Sequence, residues 1–265
     1  MDLLDRVEMP GRDRIVDALL SRSAPFERTL GSGVRMGIDP TDRIERRFAI
    51  RSYERPLLRL LATTLRAGDA VIDGGAHVGY VALHAGAAVG STGAVIAVEP
   101  DPGNLVRLRA NIDRNTYPVR VEAAALSNRS GTARFTRDLT QGETGWGSLL
   151  TDPGERSDAI EVPTTTIDAL ASTVEDRPLR LIKLDVQGAE HDALLGAERT
   201  LSTHRPMVVV ETVDVWWGSA QTTTVADVRA LLRRHSYVER ALARDGSLTE
   251  PHRDAATGVF VPDPR

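Results

Sequence analysis

Two apolar runs that each end on an acid, with a glycine-rich turn after the first, constrain the fold of this chain most. The first run is Ala70–Asp73 and continues as Gly-Gly-Ala-His-Val-Gly, which predicts a helix from about Val78. The second run is Ala94–Val98 and ends on Glu99, 26 positions after Asp73. A strand, a glycine-rich turn, a helix and a second strand ending on an acid form the unit with which an open α/β sheet holds an adenosine. We therefore predict a parallel α/β sheet with a nucleoside site at the carboxyl ends of its strands.

The spacing of the glycines narrows the choice of nucleoside. The pattern is Asp-x-Gly-x-x-x-Gly, whereas pyrophosphate cofactors require Gly-x-Gly-x-x-Gly. This difference favours S-adenosylmethionine, which has no phosphates to hold. The residues that we expect to contact the cofactor here are Asp73, Gly74, Gly75, Ala76, His77, Gly79, Glu99 and Pro100. Glu99 is expected to accept hydrogen bonds from both ribose hydroxyls.

Strand and helix patterns alternate along most of the chain. The predicted helices are 54–66, 78–89, 101–114, 189–201 and 224–234, and the predicted strands are 70–73, 94–98, 119–123, 179–184 and 207–211. A closing antiparallel hairpin is expected from 237–242 and 257–262, which a polar turn joins. Together these elements predict a doubly wound, mainly parallel seven-stranded sheet.

Two stretches depart from this alternation. Residues 124–178 read as an inserted β segment with strands at 131–135 and 160–165, a glycine-rich loop between them and a short helix from Thr166. The N-terminal stretch is mixed, with a helix expected at 12–20 and strands at 34–38 and 45–50. We expect residues 1–52 to form an N-terminal extension that packs over the active site, and residues 53–265 to form the catalytic domain.

Four predicted strands end on a carboxylate, and the carboxyl ends of parallel strands meet at one edge of a sheet. The four acids are Asp73, Glu99, Asp185 and Glu211. Ligands of open α/β sheets bind at this edge, so these acids predict a site there. Lys183 is the only lysine of the chain and lies on the strand that ends at Asp185. A compact ammonium suits a partly buried site better than a guanidinium does. A structural pairing with Asp185 or Glu190 and a role in function are both compatible with this position.

Five sequence blocks resemble the FkbM family of S-adenosylmethionine-dependent methyltransferases. They are Val-Ile-Asp-Gly-Gly-Ala-His-Val-Gly-Tyr, Val-Glu-Pro-Asp-Pro, Ala-Leu-Ser-Asn-Arg-Ser-Gly, Thr-Ile-Asp-Ala-Leu and Ile-Lys-Leu-Asp-Val-Gln-Gly-Ala-Glu, spread over about residues 53–211. The resemblance implies the Rossmann-like class I methyltransferase fold and O-methylation of a hydroxyl on a sugar, polyketide or other natural product. Tyr53 and Glu54, just before the first predicted helix, are expected to reach the methionine end of the cofactor, and Ala125, Leu126 and Asp185 complete the expected cofactor contacts. His77 and Gln187 stand where the family usually has asparagine and glutamate.

Transfer of a methyl group to an alcohol calls for a base within hydrogen-bond reach of the hydroxyl. Asp185 is the first candidate, Glu211 and Glu190 follow, and His191 and His77 are the imidazole candidates; Lys183 belongs to the same catalytic set. Mg²⁺ held by Asp185 and Glu211 would be an alternative, but the Asp-Asn pair of catechol-type methyltransferases is missing after Glu211, so we expect a metal-independent reaction. Acceptor contacts are expected from Trp146, Ser148, Trp216 and Trp217, although core packing is the common fate of tryptophan.

Composition argues against some classes of protein function and leaves others open. The net charge of −4 and pI of about 5.9 argue against a nucleic-acid partner. The chain has no cysteine, no signal-peptide pattern and no apolar run of membrane-spanning length, so we expect a cytoplasmic enzyme with a small-molecule acceptor, compatible with a homodimer. The alternatives are an N- or carboxylate-methyltransferase, an oxidoreductase that uses a nucleotide cofactor, or a non-catalytic binding module. The chain lacks the Gly-x-Gly-x-x-Gly and Tyr-x-x-x-Lys motifs expected of such an oxidoreductase. A binding module would not need four acids at the ligand edge.

Overall fold

Eight strands form the central sheet of the computed structural model, which describes residues 19–137, 147–149, 159–211, 224–251 and 257–264. In spatial order they are Leu248–Thr249 (β12), Tyr237–Leu242 (β11), Thr257–Pro262 (β13), Met207–Glu211 (β10), Leu179–Leu184 (β9), Ala70–Gly74 (β3), Ala94–Val98 (β4) and Val119–Glu122 (β5). The five strands from β10 to β5 run parallel, and β13 and β11 are antiparallel to their neighbours. The predicted doubly wound sheet is confirmed. The eighth strand, β12, is a two-residue addition in the turn of the closing hairpin.

Helices cover both faces of this sheet. They are Arg55–Thr64 (α2), Tyr80–Val89 (α3), Pro102–Asp113 (α4), Glu190–Leu195 (α6), Glu198–Thr203 (α7) and Val225–Arg234 (α8). Along β3, Val71 faces the apolar cluster under α2 and α3, whereas Ile72 faces the cluster under α6 and α8. Because successive side chains of a strand point to opposite faces, a strand buried on both sides must be apolar at consecutive positions.

The single helix predicted over 189–201 is wrong, because the chain breaks it at Gly196. α6 ends there and α7 begins two residues later. The backbone carbonyl of Ser127 comes so close to Gly196 that a Cβ atom at this position would overlap it. A close approach from a distant part of the chain therefore interrupts a helix that the local pattern would continue.

The inserted segment contains the two predicted strands, and a third strand that was not predicted joins them in a separate sheet. Ala125–Leu126 (β6), Gly131–Thr136 (β7) and Ala159–Thr165 (β8) are arranged in the order β6-β8-β7. The helix Ile167–Ala171 (α5) and a 3₁₀ turn at Ser172–Val174 lead back to the central sheet.

Before the first strand of the central sheet, the chain forms the hairpin Phe26–Thr29 (β1) and Arg35–Ile38 (β2), and then the helix Arg43–Ala49 (α1). The strand predicted at 45–50 is wrong. Asp42 caps the helix by accepting hydrogen bonds from the backbone of Ile44 and Glu45 at 2.8 and 3.1 Å. Glu45, Phe48 and Ala49 share its buried face, which only the helical spacing brings together.

The boundary predicted at residue 52 stays a prediction. The helix predicted over 12–20 lies outside the described residues except for its last two positions. Met36 and Phe48 belong to the same apolar cluster as Leu61 and Val71 of the central layers. Within the described ranges, no helix is both long and apolar enough to cross a membrane.

Candidate active site

A cavity of about 420 Å³ lies at the carboxyl ends of the parallel strands. Its lining comes from the turn after β3, the residues after β4, the β6 strand, the ends of β9 and β10, and one side of α1. This is the edge at which an open α/β sheet binds ligands, so the predicted location of the site agrees with the cavity.

The turn after β3 is held between the two neighbouring strands. The backbone amides of Gly75 and Ala76 both donate to the carbonyl of Val98 at 3.0 Å. Gly75 has a φ of +75°, and a Cβ atom there would overlap the carbonyl oxygen of Asp185. Gly75, Ala76 and His77 line the cavity. The glycine therefore allows two strand-end loops to approach each other beneath the ligand.

Three other predicted residues of this motif do not line the cavity. Gly74 lies against the side chain of Leu126, and Gly79 begins α3 where a Cβ would be 2.7 Å from a methyl group of Leu108. Asp73 is fully buried below the turn. These three positions support the site from below.

Glu99 has a carboxylate whose orientation is set by three protein donors. Its Oε2 accepts from the amide of His77 at 2.9 Å, and its Oε1 accepts from the amide of Asp101 at 3.0 Å and from Nδ2 of Asn104 at 3.2 Å. Burial raises the pKa of Glu99 to about 7. Glu99 and Pro100 line the cavity, and Oε2 keeps a lone pair for a further donor. Sequence reasoning missed Asn104; an amide side chain in the first turn after Asp-Pro was the available signal.

Lys183 joins two of the four strand-end acids. Its Nζ lies 3.4 Å from Oδ1 of Asp73 and 3.4 Å from Oδ2 of Asp185, and it donates to the carbonyl of Gly75 at 3.3 Å. Burial alone would lower the pKa of Lys183, but the two carboxylates outweigh burial and raise it. The carboxylate of Glu190 instead accepts from the amide of Val186 at 2.9 Å. The carboxylates that pair with Lys183 are thus those of Asp73 and Asp185.

Asp185 and Glu211 form a carboxyl pair with unequal protonation. Gln187 Nε2 donates to Oδ1 of Asp185 at 2.6 Å and to Oε2 of Glu211 at 3.3 Å. Burial would raise the pKa of Asp185, but Lys183 and the hydrogen bonds from Glu211 and Gln187 hold that pKa below its usual value. Burial and the charge of Asp185 raise the pKa of Glu211 to about 9. At neutral pH the pair therefore holds one proton, on Glu211, and Asp185 is ionised.

The match to a family model decides the identity of this arrangement. The model described as the methyltransferase FkbM domain matches residues 73–239, which include the glycine turn and all four strand-end acids. The chain belongs to the FkbM methyltransferase family. The family is one of S-adenosylmethionine-dependent methyltransferases, so the match favours a methyltransferase over the oxidoreductase and the non-catalytic binding module.

Two curated proteins are similar to this chain in sequence. The 31-O-demethyl-FK506 methyltransferase FkbM of Streptomyces tacrolimicus is 29% identical over 207 residues, covering 65% of this chain and 74% of the relative. The AMB antimetabolite synthetase AmbE of Pseudomonas aeruginosa is 28% identical over 212 residues, covering 67% of this chain but only 10% of the relative. The chain thus spans about a tenth of the length of AmbE.

Among solved structures, an FkbM methyltransferase from Methylobacillus flagellatus KT is similar. It is 18% identical with a TM-score of 0.46, and the match covers 94% of this chain and 59% of that one.

Several site residues predicted for the methyltransferase lie away from the cavity or cannot be placed. His191 is on α6, does not line the cavity, and its Nδ1 has no hydrogen-bond partner among the described residues. Ser148 is buried, and its Oγ donates to the carbonyl of Gln187 at 2.8 Å. Trp146, Trp216 and Trp217 lie outside the described residues. In the ranges that can be described, no group of three or more His, Asp or Glu residues is arranged to hold a metal ion.

Helix α1, where sequence reasoning predicted a strand, supplies a wall of the methyltransferase cavity. Arg43, Ile44, Arg47 and Phe48 line the cavity from this helix. The ring of Phe48 stacks on that of Tyr80 at a centroid distance of 4.2 Å. The Asp-x-x-Glu pattern from Asp42, a capping-box signature, was the signal that could have predicted this helix.

Proposed function

We propose that this enzyme transfers a methyl group from S-adenosylmethionine to a hydroxyl oxygen of a small molecule, with Asp185 as the base. The observation that carries the proposal is the Asp185 carboxylate, 3.4 Å from the Lys183 ammonium, in the same cavity as the hydrogen-bonded Glu99 carboxylate. One carboxylate can bind a ribose while the other accepts a proton.

The residues present fit S-adenosylmethionine. Glu99 offers acceptor capacity to ribose hydroxyls, and Gly75 lines the cavity without a side chain. Val98, Ala125 and Leu126 line the cavity with apolar surface, which suits the flat, uncharged adenine ring. The backbone of Ala76 and His77 completes this side of the cavity.

When bound, the cofactor supplies a methyl group on a positively charged sulfur. The protein holds the acceptor hydroxyl in line in a cavity that excludes water. As the hydroxyl oxygen gains its bond to carbon, its proton becomes strongly acidic, so even a weakly basic carboxylate can remove it. Asp185 would accept this proton, and the bound cofactor would supply the methyl group and keep the electron pair of the broken bond between sulfur and the methyl carbon. Asp185 must be ionised beforehand, and Lys183 keeps it so.

The metal-independent reaction remains our proposal. The Lys183 ammonium already provides positive charge beside Asp185, and Glu211 holds a proton that a Mg²⁺ ion would have to displace. A general base without metal is therefore the simpler arrangement.

The test is Asp185→Asn, which is nearly isosteric and removes the base. We expect binding of S-adenosylhomocysteine, measured by isothermal titration, to stay close to that of the wild type. Transfer of isotopically labelled methyl groups to a panel of hydroxyl-bearing natural products should fall by about 10²-fold or more. Wild-type turnover would move the role to Glu211. The same assay in the presence of a metal chelator tests metal dependence. A loss of activity that added Mg²⁺ restores would contradict a metal-independent reaction.

The identity of the acceptor belongs to the same proposal. The Streptomyces relative is named as a methyltransferase for 31-O-demethyl-FK506, and this supports a hydroxyl acceptor here. Label found on nitrogen or on a carboxylate would favour the alternative acceptors. A cytoplasmic location, the lack of a nucleic-acid partner and a homodimer remain predictions.

A further inference from the structure

One amide side chain connects the two carboxyl groups that follow β9 and end β10. Nε2 of Gln187 donates to Oδ1 of Asp185 at 2.6 Å and to Oε2 of Glu211 at 3.3 Å. An amide nitrogen carries two hydrogens, one for each acid, whereas the amide oxygen would meet carboxylate oxygens if the group were turned over. The two acids therefore fix the orientation of the amide. All three side chains line the cavity.

The conformation of Gln187 is unfavourable for stability alone. Its φ of +55° lies in the left-handed region, which costs free energy for a residue with a side chain. Its Oε1 is buried and has no hydrogen-bond partner in the part of the chain that the structure describes, so the hydrogen bonds that it would make to water are not replaced there. A strained residue with an unsatisfied buried carbonyl at a cavity points to a function of its side chain.

The inserted sheet holds the backbone of Gln187 from the other side. Oγ of the buried Ser148 donates to the carbonyl of Gln187 at 2.8 Å. The backbone of Ser148 in turn exchanges two hydrogen bonds with Thr136 of β7, at 2.9 and 3.0 Å. The left-handed residue is thus held at its backbone by the inserted segment and at its side chain by the two acids.

The donors around Asp185 leave one direction for the acceptor. A carboxylate offers about four lone-pair directions. At Asp185 the protein donors are Nε2 of Gln187 on Oδ1, Nζ of Lys183 at 3.4 Å from Oδ2, and a hydrogen bond from Glu211. We propose that Gln187 is a positioning residue for the methyl transfer, which fixes the carboxylate of Asp185 so that its remaining lone pair is directed at the acceptor hydroxyl. This inference rests on the proposed function, in which Asp185 is the base.

A titration tests the contact without any acceptor. Protein labelled with ¹³C at the side-chain carboxyl carbons of aspartate and glutamate is titrated by NMR, and the signals of the pair are assigned by their loss in Asp185→Asn and Glu211→Gln. Gln187→Met keeps the length of the side chain but cannot donate, so the lower titration midpoint of the pair should rise by about 1 pH unit or more. An unchanged midpoint would overturn the proposal.

Asn128→Leu is the matched control for this titration. Asn128 is exposed, and its amide donates to the carboxylate of Asp192 at 3.4 Å, outside the cavity lining. Removal of this amide should leave the midpoints of the cavity pair unchanged.

A double-variant cycle tests the role of Gln187 in the reaction. The kcat for labelled methyl transfer is measured with Gln187→Met, Asp185→Asn and both together, on the hydroxyl-bearing panel compound that the wild type methylates fastest. We expect Gln187→Met to lower kcat about tenfold or more and to keep the affinity for S-adenosylhomocysteine within about twofold of the wild type. The double variant should be no slower than Asp185→Asn, because Gln187 acts through Asp185.

The outcomes separate this role from a structural one. Losses that multiply in the double variant, or an equal loss of affinity for S-adenosylhomocysteine, would show that Gln187 supports the loop and does not position the base. A wild-type rate in Asp185→Asn would instead contradict the proposed function. If the wild type methylates no compound of the panel, the titration alone decides on Gln187.

Discussion

At Lys183 a single ammonium group lies 3.4 Å from two carboxylates, Asp73 and Asp185. All the other cationic side chains in this arginine-rich chain, apart from histidines, are arginines. A guanidinium is planar and larger, whereas the ammonium can donate in three directions, here towards Asp73, Asp185 and the carbonyl of Gly75. At the scale of single residues, therefore, the protonation state of the site depends on one compact charge and on how the acids share the remaining proton.

The proton on Glu211 makes stability depend on pH. The pKa of Glu211 rises from its ordinary 4.5 to about 9 in the folded protein, mainly through burial. The contribution of Glu211 to the free energy of unfolding is therefore largest below about pH 4.5 and is lost as pH rises towards about 9. In Glu211→Gln, which stays neutral, this loss is absent. The wild type should lose up to about 1.4 kcal/mol relative to this variant for each pH unit between these two pKa values, measured by denaturant unfolding.

Glu198→Gln, at an exposed position of α7, is the control for this series. A difference between the wild type and Glu211→Gln that stays constant across this pH range would refute the raised pKa.

The ribose assignment of Glu99 is tested with Glu99→Gln. The amide keeps the size of the side chain but loses the charge and one acceptor, so affinity for adenosine ligands should fall by about 1.5–3 kcal/mol. The measurement is the affinity for S-adenosylhomocysteine and for 2′,3′-dideoxyadenosine, which has no ribose hydroxyls. If the variant weakens both ligands equally, Glu99 supports the turn through His77 and does not bind the ribose.

At the scale of elements, the site depends on how closely the turn after β3 approaches the loop after β9. The amide of Asp185 donates to the carbonyl of Gly74 at 3.1 Å, and Gly75 leaves no room for a Cβ atom. Parallel pairing of β3 with β9 sets this distance, since Gly74 is in register with Leu184. The two strand ends thus bring the cofactor turn and the proposed base together.

Gly75→Ala tests this approach, with Gly33→Ala as a matched control. Both glycines have positive φ, of +75° and +83°, but the nearest atom to a Cβ on Gly33 is the Tyr117 hydroxyl at 3.6 Å. The control should lose only the strain of the left-handed conformation, about 1–2 kcal/mol of unfolding free energy. Gly75→Ala should lose at least about 3 kcal/mol and also bind S-adenosylhomocysteine more weakly. Equal losses in the two variants would show that overlap with Asp185 has no effect.

At the scale of the whole molecule, the segment before residue 53 and the central sheet share one apolar core. Phe48 of α1 is 1% exposed, stacks on Tyr80 of α3, and belongs to the same cluster as Val71 of β3. The other face of the sheet has its own cluster, which includes Phe260 of β13. Phe48 can therefore serve both stability and the cavity that it lines, whereas Phe260 lies outside the lining and can serve stability only.

Phe48→Ala and Phe260→Ala should separate these roles. Each variant removes a fully buried ring and should lose about 3–5 kcal/mol of unfolding free energy. Only Phe48→Ala should weaken S-adenosylhomocysteine, because Phe48 lines the cavity and Phe260 does not. The affinities are compared under conditions where both variants are folded, as near-ultraviolet circular dichroism reports. An equal loss of affinity in both variants would indicate a general loosening of the fold.

Local sequence patterns were enough to predict the central sheet, the parallel direction of its strands and the edge that carries the acids. These follow from local patterns, since an apolar run ending on an acid before a glycine turn is decided within a few neighbouring residues. Only the tertiary structure decided which acids meet, that Asp73 is buried under Lys183, and that α1 forms a wall of the cavity. The buried Glu45 pairs with Arg107 of α4, and the carbonyl of Ser127 interrupts a helix at Gly196. Such contacts join residues far apart in the chain, so local periodicity contains no information about them.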